Sequence, residues 1–350
     1  DTLRAEDGRV TATLWHEESS DLLLELRPGH ENGPRVGVAC DLGTSTVVLQ
    51  MLDLDSGKSL AVASDYNRQV RSGADVISRI DLASRPGGLE RLRDQARITI
   101  NVLLRRLCQQ ANISSAAVRA MVISGNTTMI HLLLGLEPEY IRLEPYSPTL
   151  LESPPLRAAE IDLDVNPYAG VCLSPCVGSY LGGDSTAGLL CTDLARETAD
   201  VSLFIDIGTN GELVMGNSEF LIGCACSAGP AFEGGGIDCG MRAAPGAIER
   251  VEVDPETGRA HCSTIGELVP RGICGSGIID LLANLLLTGW IDPAGRLDRS
   301  RSSPFIETDG KRARYLLVPA EESPTRKPIA IGESGIENVL RAKAAVYSAS

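Results

Sequence analysis

The feature that most constrains the fold is a short pattern that occurs twice, far apart in the chain. An apolar, β-prone run ends in an aspartate, a Gly-Thr turn follows, and a second apolar run leaves the turn. The first copy is Asp41-Leu-Gly-Thr-Ser-Thr46 and the second is Asp206-Ile-Gly-Thr-Asn-Gly211. Apolar runs on both sides of a tight glycine turn predict a β-hairpin with a polar tip. Two such hairpins indicate a duplicated domain with one polar turn in each half.

Both tips have the chemistry of an anion site. A turn of Gly, Thr and Ser presents several backbone N–H groups on a concave surface, and glycine lets a phosphate approach the backbone closely. The aspartates cannot bind phosphate directly, but they can hold a hydrated Mg²⁺ ion. Each copy alone can equally be an ordinary turn, since Asp, Asn and Gly are common turn residues. The pair favours a nucleoside triphosphate held from both sides, with Asp41 and Asp206 facing each other across one cleft.

Composition argues against several classes of function. The chain has 350 residues, enough for two sizeable cores, and a formal net charge of −14 at pH 7. A nucleic-acid partner needs a basic face, so this charge predicts no nucleic-acid partner and no anionic membrane surface. No apolar run reaches the length of a membrane span, and residues 1–20 show no signal peptide. The 10 cysteines form no disulfide framework or metal-ligand spacing, which favours reduced thiols and a cytoplasmic location.

Breaks in the pattern predict three segments. Residues 1–34 hold two short strand candidates and a Pro- and Gly-rich end, and we interpret them as the tail and linker of a preceding, middle domain. Residues 35–200 form the first half and residues 201–350 the second. Residues 298–330 are polar and Pro-rich, which predicts a surface excursion. The last helix has no terminating glycine, so the second half is expected to be incomplete at its C-terminal end.

Three further sites are candidates for ligand contact. Ser124-Gly-Asn-Thr-Thr128 and Gly272-Ile-Cys-Gly-Ser-Gly277 each place a glycine turn before a predicted helix, where backbone donors suit an anion. Simple capping explains the first slightly better, and a single glycine string such as the second is weak evidence. Asp184 opens another predicted helix. It can be the helix N-cap, or it can face a phosphate-bound magnesium ion or position an attacking water.

The motifs together resemble one protein family. Two hairpins with Asp-x-Gly-Thr tips are typical of the ASKHA superfamily of acetate and sugar kinases, heat-shock chaperones and actin. Within it, the chain is similar to the ATP-dependent reductive activators of corrinoid proteins over roughly residues 35–350. The segments that carry this resemblance are residues 41–46, 124–135, 204–212, 229–234, 240–249 and 272–277. The resemblance implies an α/β fold: two ribonuclease H-like, actin/hexokinase-type subdomains around a nucleotide cleft, with mixed sheets flanked by helices.

The resemblance also implies a function in anaerobic metabolism. Corrinoid methyl carriers work through cobalt(I), which is occasionally oxidised to inactive cobalt(II). The activator binds ATP, docks on the corrinoid (cobalamin) protein and passes it one electron from an iron–sulfur cluster, while ATP turnover helps to drive the transfer. Asp41 and Asp206 would support Mg²⁺, and Asp184 and Glu212 are the candidate catalytic residues. The nucleotide contacts would be Asp41, Gly43, Thr44, Ser45, Asp206, Gly208, Thr209, Asn210, Gly211, Gly275, Ser276 and Gly277.

Two departures from the family pattern limit what this chain is expected to do alone. It contains no ferredoxin-type cysteine cluster, so the iron–sulfur cluster is expected only in a full-length protein. An Ala-Gly-Gly-type adenosine contact is also missing. Two alternatives stay open: a small-molecule kinase of the same fold, for which Asp184 would be the base, and a module that uses nucleotide to gate a protein interface. A homodimer is one state that we consider, and the sequence identifies neither the corrinoid partner nor its methyl donor.

Overall fold

The fold is α/β, and it divides into two compact units. The computed structural model describes residues 2–4, 6–16, 21–31, 33–73, 75–195, 200–310, 312–323 and 326–349. The first unit comprises Asp1–Ser202 and Gly216–Leu221, and the second comprises Leu203–Met215 and Ile222–Ser350. The assignment of residues 1–34 to a preceding domain stays a prediction.

The first unit is built on a six-stranded sheet and a separate hairpin. Its strands are β1 (Val10–His16), β2 (Asp21–Pro28), β3 (Val36–Leu42), β4 (Thr46–Asp53), β5 (Ser59–Tyr66), β6 (Val118–Ser124), β7 (Leu156–Arg157) and β8 (Gly170–Leu173). Its helices are α1 (Val76–Ala83), α2 (Gly88–Ala111), α3 (Thr127–Leu134), α4 (Glu139–Arg142) and α5 (Gly183–Leu189).

The order of the large sheet is β5-β4-β3-β6-β8-β7, while β1 pairs with β2. The central strand β3 pairs antiparallel with β4 and parallel with β6, and β6 pairs parallel with β8. The carboxyl ends of β3, β6 and β8 therefore meet at one edge of the sheet. In open α/β sheets this edge is where ligands bind.

Helix α2 covers this sheet because its apolar residues recur at helical spacing. Leu92, Ala96, Ile100, Leu103 and Leu107 are all completely buried, and the helix packs on β4 and β5. The opposite face is polar, which is the pattern of an amphipathic helix on a globular core. Among the described residues, no helix combines the length and apolar character needed to cross a bilayer.

A buried histidine fastens the proline-rich segment after α3. His131 is completely buried. Its Nδ1 is hydrogen-bonded to the Thr127 carbonyl oxygen at 2.7 Å, and its Nε2 accepts from the Leu150 N–H at 3.2 Å. Since one ring nitrogen must donate and the other must accept, the imidazole is neutral. Burial lowers its pKa below the ordinary 6.5.

The second unit contains three small sheets, of orders β11-β10-β9, β13-β12-β14 and β15-β16-β17. Its strands are β9 (Ser202–Ile207), β10 (Gly211–Gly216), β11 (Leu221–Cys226), β12 (Ala247–Val253), β13 (Ala260–Thr264), β14 (Gly272–Ile273), β15 (Ile306–Asp309), β16 (Arg312–Val318) and β17 (Ile329–Gly332). Its helices are α6 (Gly275–Leu287) and α7 (Glu333–Ala349). The core joins α6, α7, β12 and β16 around Trp290 and Tyr315.

The prediction of a surface excursion over residues 298–330 is wrong. This region holds β15, β16 and the start of β17. Tyr315 is completely buried, and its hydroxyl donates to the Gly258 carbonyl oxygen at 2.8 Å. The run Arg312-Ala-Arg-Tyr315 alternates polar and apolar side chains, which is the period-two signal of a half-buried strand. The neighbouring charges and prolines obscured that signal.

Candidate functional site

The first Asp-x-Gly-Thr turn joins β3 to β4 at the carboxyl edge of the large sheet. A Cβ atom at Gly43 would lie 2.4 Å from the Thr46 carbonyl oxygen, so the turn requires glycine there. The Asn67 side-chain amide donates to the Gly43 carbonyl oxygen at 2.9 Å, and the Asn67 N–H donates to the Ser45 carbonyl oxygen at 2.9 Å. These bonds fix the turn by contacts with the protein itself. The turn is therefore preorganised for a ligand.

The end of β6 lies beside this turn and is tied to it. Ser124 is the register partner of Asp41. Two residues further on, Asn126 caps α3: its side-chain oxygen accepts from the Met129 N–H at 3.0 Å. Its amide nitrogen donates to Thr44 Oγ1 at 2.9 Å. The sequence left two roles open for this glycine turn, helix capping and ligand contact. The structure shows that Asn126 caps α3 and also holds Thr44 of the first turn in position.

This contact decides what the Thr44 hydroxyl can do. Asn126 must present its oxygen to the helix, so its NH₂ group faces Thr44. The Thr44 oxygen then acts as the acceptor, and its own hydrogen is directed to another partner. Thr44 is only 5% exposed. Its hydroxyl is thus oriented to donate a hydrogen bond, as an anion site needs.

Asp184 lies near the same edge, but not in the capping role. Helix α5 begins at Gly183 and its N-cap is Gly182, so the option that Asp184 is the N-cap is wrong. Its carboxylate accepts from the Ser185 N–H at 2.9 Å in the first helical turn. A Cβ atom at Gly182 would lie 2.3 Å from the Asn126 Cα, which shows how closely this helix start approaches the Asn126 turn. Contact of Asp184 with magnesium or an attacking water stays a prediction.

The second Asp-x-Gly-Thr turn, in the second unit, is held by different hydrogen bonds. The Gly208 N–H donates to the Asn210 carbonyl oxygen, and the Gly229 N–H donates to the Thr209 carbonyl oxygen, both at 2.9 Å. The Thr209 hydroxyl donates to Glu233 Oε2 at 2.9 Å. The two threonines thus differ: Thr209 donates to a carboxylate, whereas Thr44 accepts from an amide.

Glu233 is a site residue that the sequence reasoning missed. It ends the 3₁₀ helix Pro230–Glu233. This helix lies in residues 229–234, a segment that resembles the family and for which the sequence predicted no ligand contact. The signal that could have found it is a carboxylate in a glycine-flanked loop, Gly-Pro-Ala-Phe-Glu-Gly. The bond to Thr209 spans 24 residues, which sequence patterns alone do not reveal.

Gly275, Ser276 and Gly277 lie in the first turn of α6, whereas the sequence placed them in a loop ahead of the helix. A Cβ atom at Gly275 would lie 2.0 Å from the Phe232 carbonyl oxygen, and one at Gly277 would lie 2.3 Å from the Ile248 carbonyl oxygen. Packing alone therefore requires both glycines. The close approach of Gly275 to Phe232 brings the start of α6 against the 3₁₀ helix that carries Glu233. Nucleotide contact by these residues stays a prediction.

Two acidic residues flank the second turn. Asp206 is half-buried on β9, and burial raises its pKa, although the Ile207 N–H bonded to it acts in the opposite direction. A bound cation would offset this cost, so the environment fits the expected magnesium role. Glu212 is only 5% exposed, at the start of β10. Burial raises the pKa of the Cys226 thiol, and the charge of Glu212 raises it further.

The residues fit the two expected metal groups differently. Mg²⁺ usually takes one or two carboxylates plus waters and phosphates, so Asp41 and Asp206 suit it in chemistry. Over the described parts of the chain, no group of three or more His, Cys, Asp or Glu side chains could hold a metal ion. All 10 cysteines are free thiols. These residues therefore do not fit an iron–sulfur cluster, which needs several cysteines.

Comparisons with known proteins identify the family. Residues 36–197 match the model of the RACo middle region, and residues 200–350 match that of the C-terminal domain of RACo, the ASKHA domain. The chain belongs to the RACo family. It is 35% identical over 339 residues to the corrinoid activation enzyme RamQ of Eubacterium limosum, covering 94% of this chain and 56% of RamQ.

The chain is also similar to a second curated protein and to a solved structure. The chain is 28% identical over 315 residues to the [Co(II) methylated amine-specific corrinoid protein] reductase of Methanosarcina barkeri, covering 79% of this chain and 56% of the reductase. A solved structure of a reductive activator for a corrinoid, iron–sulfur protein superposes with a TM-score of 0.94 at 46% identity, covering 99% of this chain and 55% of the activator. The chain thus spans about half the length of these three relatives.

Proposed function

We propose that this chain is the ATP-binding part of a reductive activator that returns corrinoid proteins from cobalt(II) to cobalt(I). The observation that carries the proposal is the superposition on a reductive activator over 99% of this chain at 46% identity. The geometry supports it, because each unit holds an ordered Asp-x-Gly-Thr turn of the kind that binds phosphate. That both turns bind the same nucleotide stays a prediction.

The residues divide the work of nucleotide binding and hydrolysis. The Gly43–Ser45 backbone and the Thr44 hydroxyl donate to phosphate oxygens, as do the backbone N–H groups of Thr209 and Asn210. Asp41 and Asp206 would hold a hydrated Mg²⁺ ion, which would neutralise charge on the phosphates when bound. Asp184 and Glu212 are the proposed catalytic carboxylates that orient the attacking water.

The electron comes from elsewhere in the full-length protein. The RACo relatives are nearly twice as long as the chain, and the described cysteines lack cluster geometry. We therefore assign an iron–sulfur cluster to a part of the protein outside residues 1–350. ATP then acts by linkage: a nucleotide shifts a conformational equilibrium only by its differential affinity for the two forms, and nucleotide and corrinoid partner affect each other's affinity reciprocally. A cytoplasmic location and a homodimer stay predictions.

ATP hydrolysis by the full-length protein tests this function. We expect slow phosphate release from the protein alone and faster release when a corrinoid protein in the cobalt(II) state is added. Asp206→Asn should abolish the acceleration, whereas Asp238→Asn, at an exposed position of the same unit, should retain it. A rate that does not respond to the corrinoid protein would contradict the proposal. Phosphate appearing on a small-molecule acceptor would show instead a kinase of the same fold.

A further inference from the structure

A completely buried arginine lies behind the first phosphate turn. Arg79 is on α1 and has no exposed surface. Its Nη2 donates to the Thr44 carbonyl oxygen at 2.6 Å and its Nε to the Gly73 carbonyl oxygen at 3.0 Å. Its Nη1 donates to Gln69 Oε1 at 3.0 Å and lies 3.2 Å from Met129 Sδ. Every one of these acceptors is electrically neutral.

Among the described residues, no carboxylate forms an ion pair with Arg79. Two partly buried arginines of the first unit do have carboxylate partners: Arg97 pairs with Asp162 and Arg142 pairs with Asp81. Burial lowers the pKa of Arg79 to about 10, and the charge of Asp75, the exposed N-cap of α1, acts against this shift. The guanidinium therefore stays protonated at neutral pH.

A buried charge without a counter-ion is costly, and proteins usually pair it or remove it. Here the unbalanced charge is one hydrogen bond away from the turn that is expected to bind phosphate. The Thr44 carbonyl that accepts from Arg79 shares its peptide group with the Ser45 N–H. Donation to that carbonyl polarises the peptide and makes the N–H a stronger donor toward a ligand.

We propose that Arg79 is a positioning residue whose buried guanidinium orients the Thr44–Ser45 peptide and supplies positive charge that the bound phosphates balance. This inference rests on the proposed nucleotide binding by the first turn. It has a specific consequence: the contribution of Arg79 must grow with the negative charge of the ligand. A residue that only supports the fold would contribute equally to charged and uncharged ligands.

The test compares dissociation constants of the full-length protein for MgATP, MgADP and adenosine by calorimetry. Arg79→Gln keeps an amide donor for the Thr44 carbonyl and removes the charge, whereas Arg79→Lys keeps the charge. We expect Arg79→Gln to weaken MgATP binding about 10- to 100-fold, MgADP less, and adenosine less than about twofold. Arg79→Lys should retain the preference for the more highly charged ligand. Arg97→Gln is the matched control, because it removes a mostly buried guanidinium that contacts no residue of the turn.

The outcomes distinguish failure of the Arg79 role from failure of nucleotide binding itself. If Arg79→Gln weakens the three ligands equally, or behaves like Arg97→Gln, the positioning role is wrong. The same conclusion follows if Arg79→Lys loses the charge preference as completely as Arg79→Gln. If the unaltered full-length protein fails to bind MgATP, the proposed function itself fails, and the role of Arg79 fails with it.

Discussion

Replacing Asn126 separates its two roles at the first turn. Its side-chain oxygen caps α3 through the Met129 N–H, and its amide nitrogen donates to Thr44 Oγ1. Asn126→Ala removes both contacts. Asn126→Asp keeps the cap, since Asp is an equally good N-cap residue. In the Asp variant the Thr44 hydroxyl must donate to the new carboxylate, so its hydrogen is no longer directed at a ligand.

The expected magnitudes follow from these contacts. Losing an Asn cap costs about 1 kcal/mol, and the lost hydrogen bond to the buried Thr44 oxygen adds about 1 kcal/mol. For Asn126→Ala the total of about 2 kcal/mol corresponds to a melting temperature roughly 4–8 °C lower in a unit of this size. Asn126→Asp should unfold close to the unaltered protein. Its loss of a hydrogen bond to a charged ligand is about 1.5–3 kcal/mol, or roughly a 10- to 150-fold weaker Kd for MgATP.

Thermal unfolding and MgATP titration of the full-length protein measure both effects. Ser114→Ala is the control, because Ser114 caps the 3₁₀ helix Ser115–Ala117, away from the turn. We expect Ser114→Ala to lower stability without changing the Kd. Unchanged MgATP affinity in Asn126→Asp would refute the argument about the Thr44 hydroxyl. If Asn126→Asp melts at a temperature as low as that of Asn126→Ala, the argument that Asp preserves the helix cap is refuted.

Two further predictions concern groups whose pKa is shifted by burial. Because the pKa of His131 is lowered below 6.5, the unfolded state binds its proton first, and stability should fall as pH drops below about 6.5. His131→Gln should remove this pH dependence in denaturant unfolding measured across pH, whereas His30→Gln, at an exposed position, should retain it. Identical stability–pH profiles for the two variants would show that His131 is not the titrating group. Because the pKa of Asp206 is raised above 3.8, its carboxylate opposes folding as pH rises through the folded-state pKa. Asp206→Asn should therefore raise the melting temperature at pH 7 while weakening MgATP binding, and a lower melting temperature with unchanged affinity would show the reasoning to be wrong.

Much of the fold could be predicted from local patterns. The apolar residues of α2 recur at helical spacing, which predicts an amphipathic helix, and the structure buries that stripe. The turns at Asp41 and Asp206 were expected from apolar runs that meet at a glycine, and both follow a strand as predicted. These features depend on neighbours close in sequence, which periodicity and turn chemistry describe well. Strand β16 was missed because charged residues and prolines surround it.

The contacts that shape the site could not be predicted in this way. A charged residue in a short helix is ordinarily exposed, yet Arg79 is buried by partners 35 and 50 residues away, Thr44 and Met129. The glycine at 275 looked like a phosphate loop, but the close approach of the Phe232 backbone explains it. Such roles depend on tertiary contacts, which a single sequence does not contain.

The most direct test of the account follows cobalt(I) formation. Full-length protein, a reductant and a corrinoid protein in the cobalt(II) state are mixed, and the cobalt(I) absorbance is recorded with and without ATP. The account predicts cobalt(I) only when ATP is present, and its loss in Asp206→Asn but not in Asp238→Asn. Equal cobalt(I) formation without ATP, or full activity of Asp206→Asn, would contradict it.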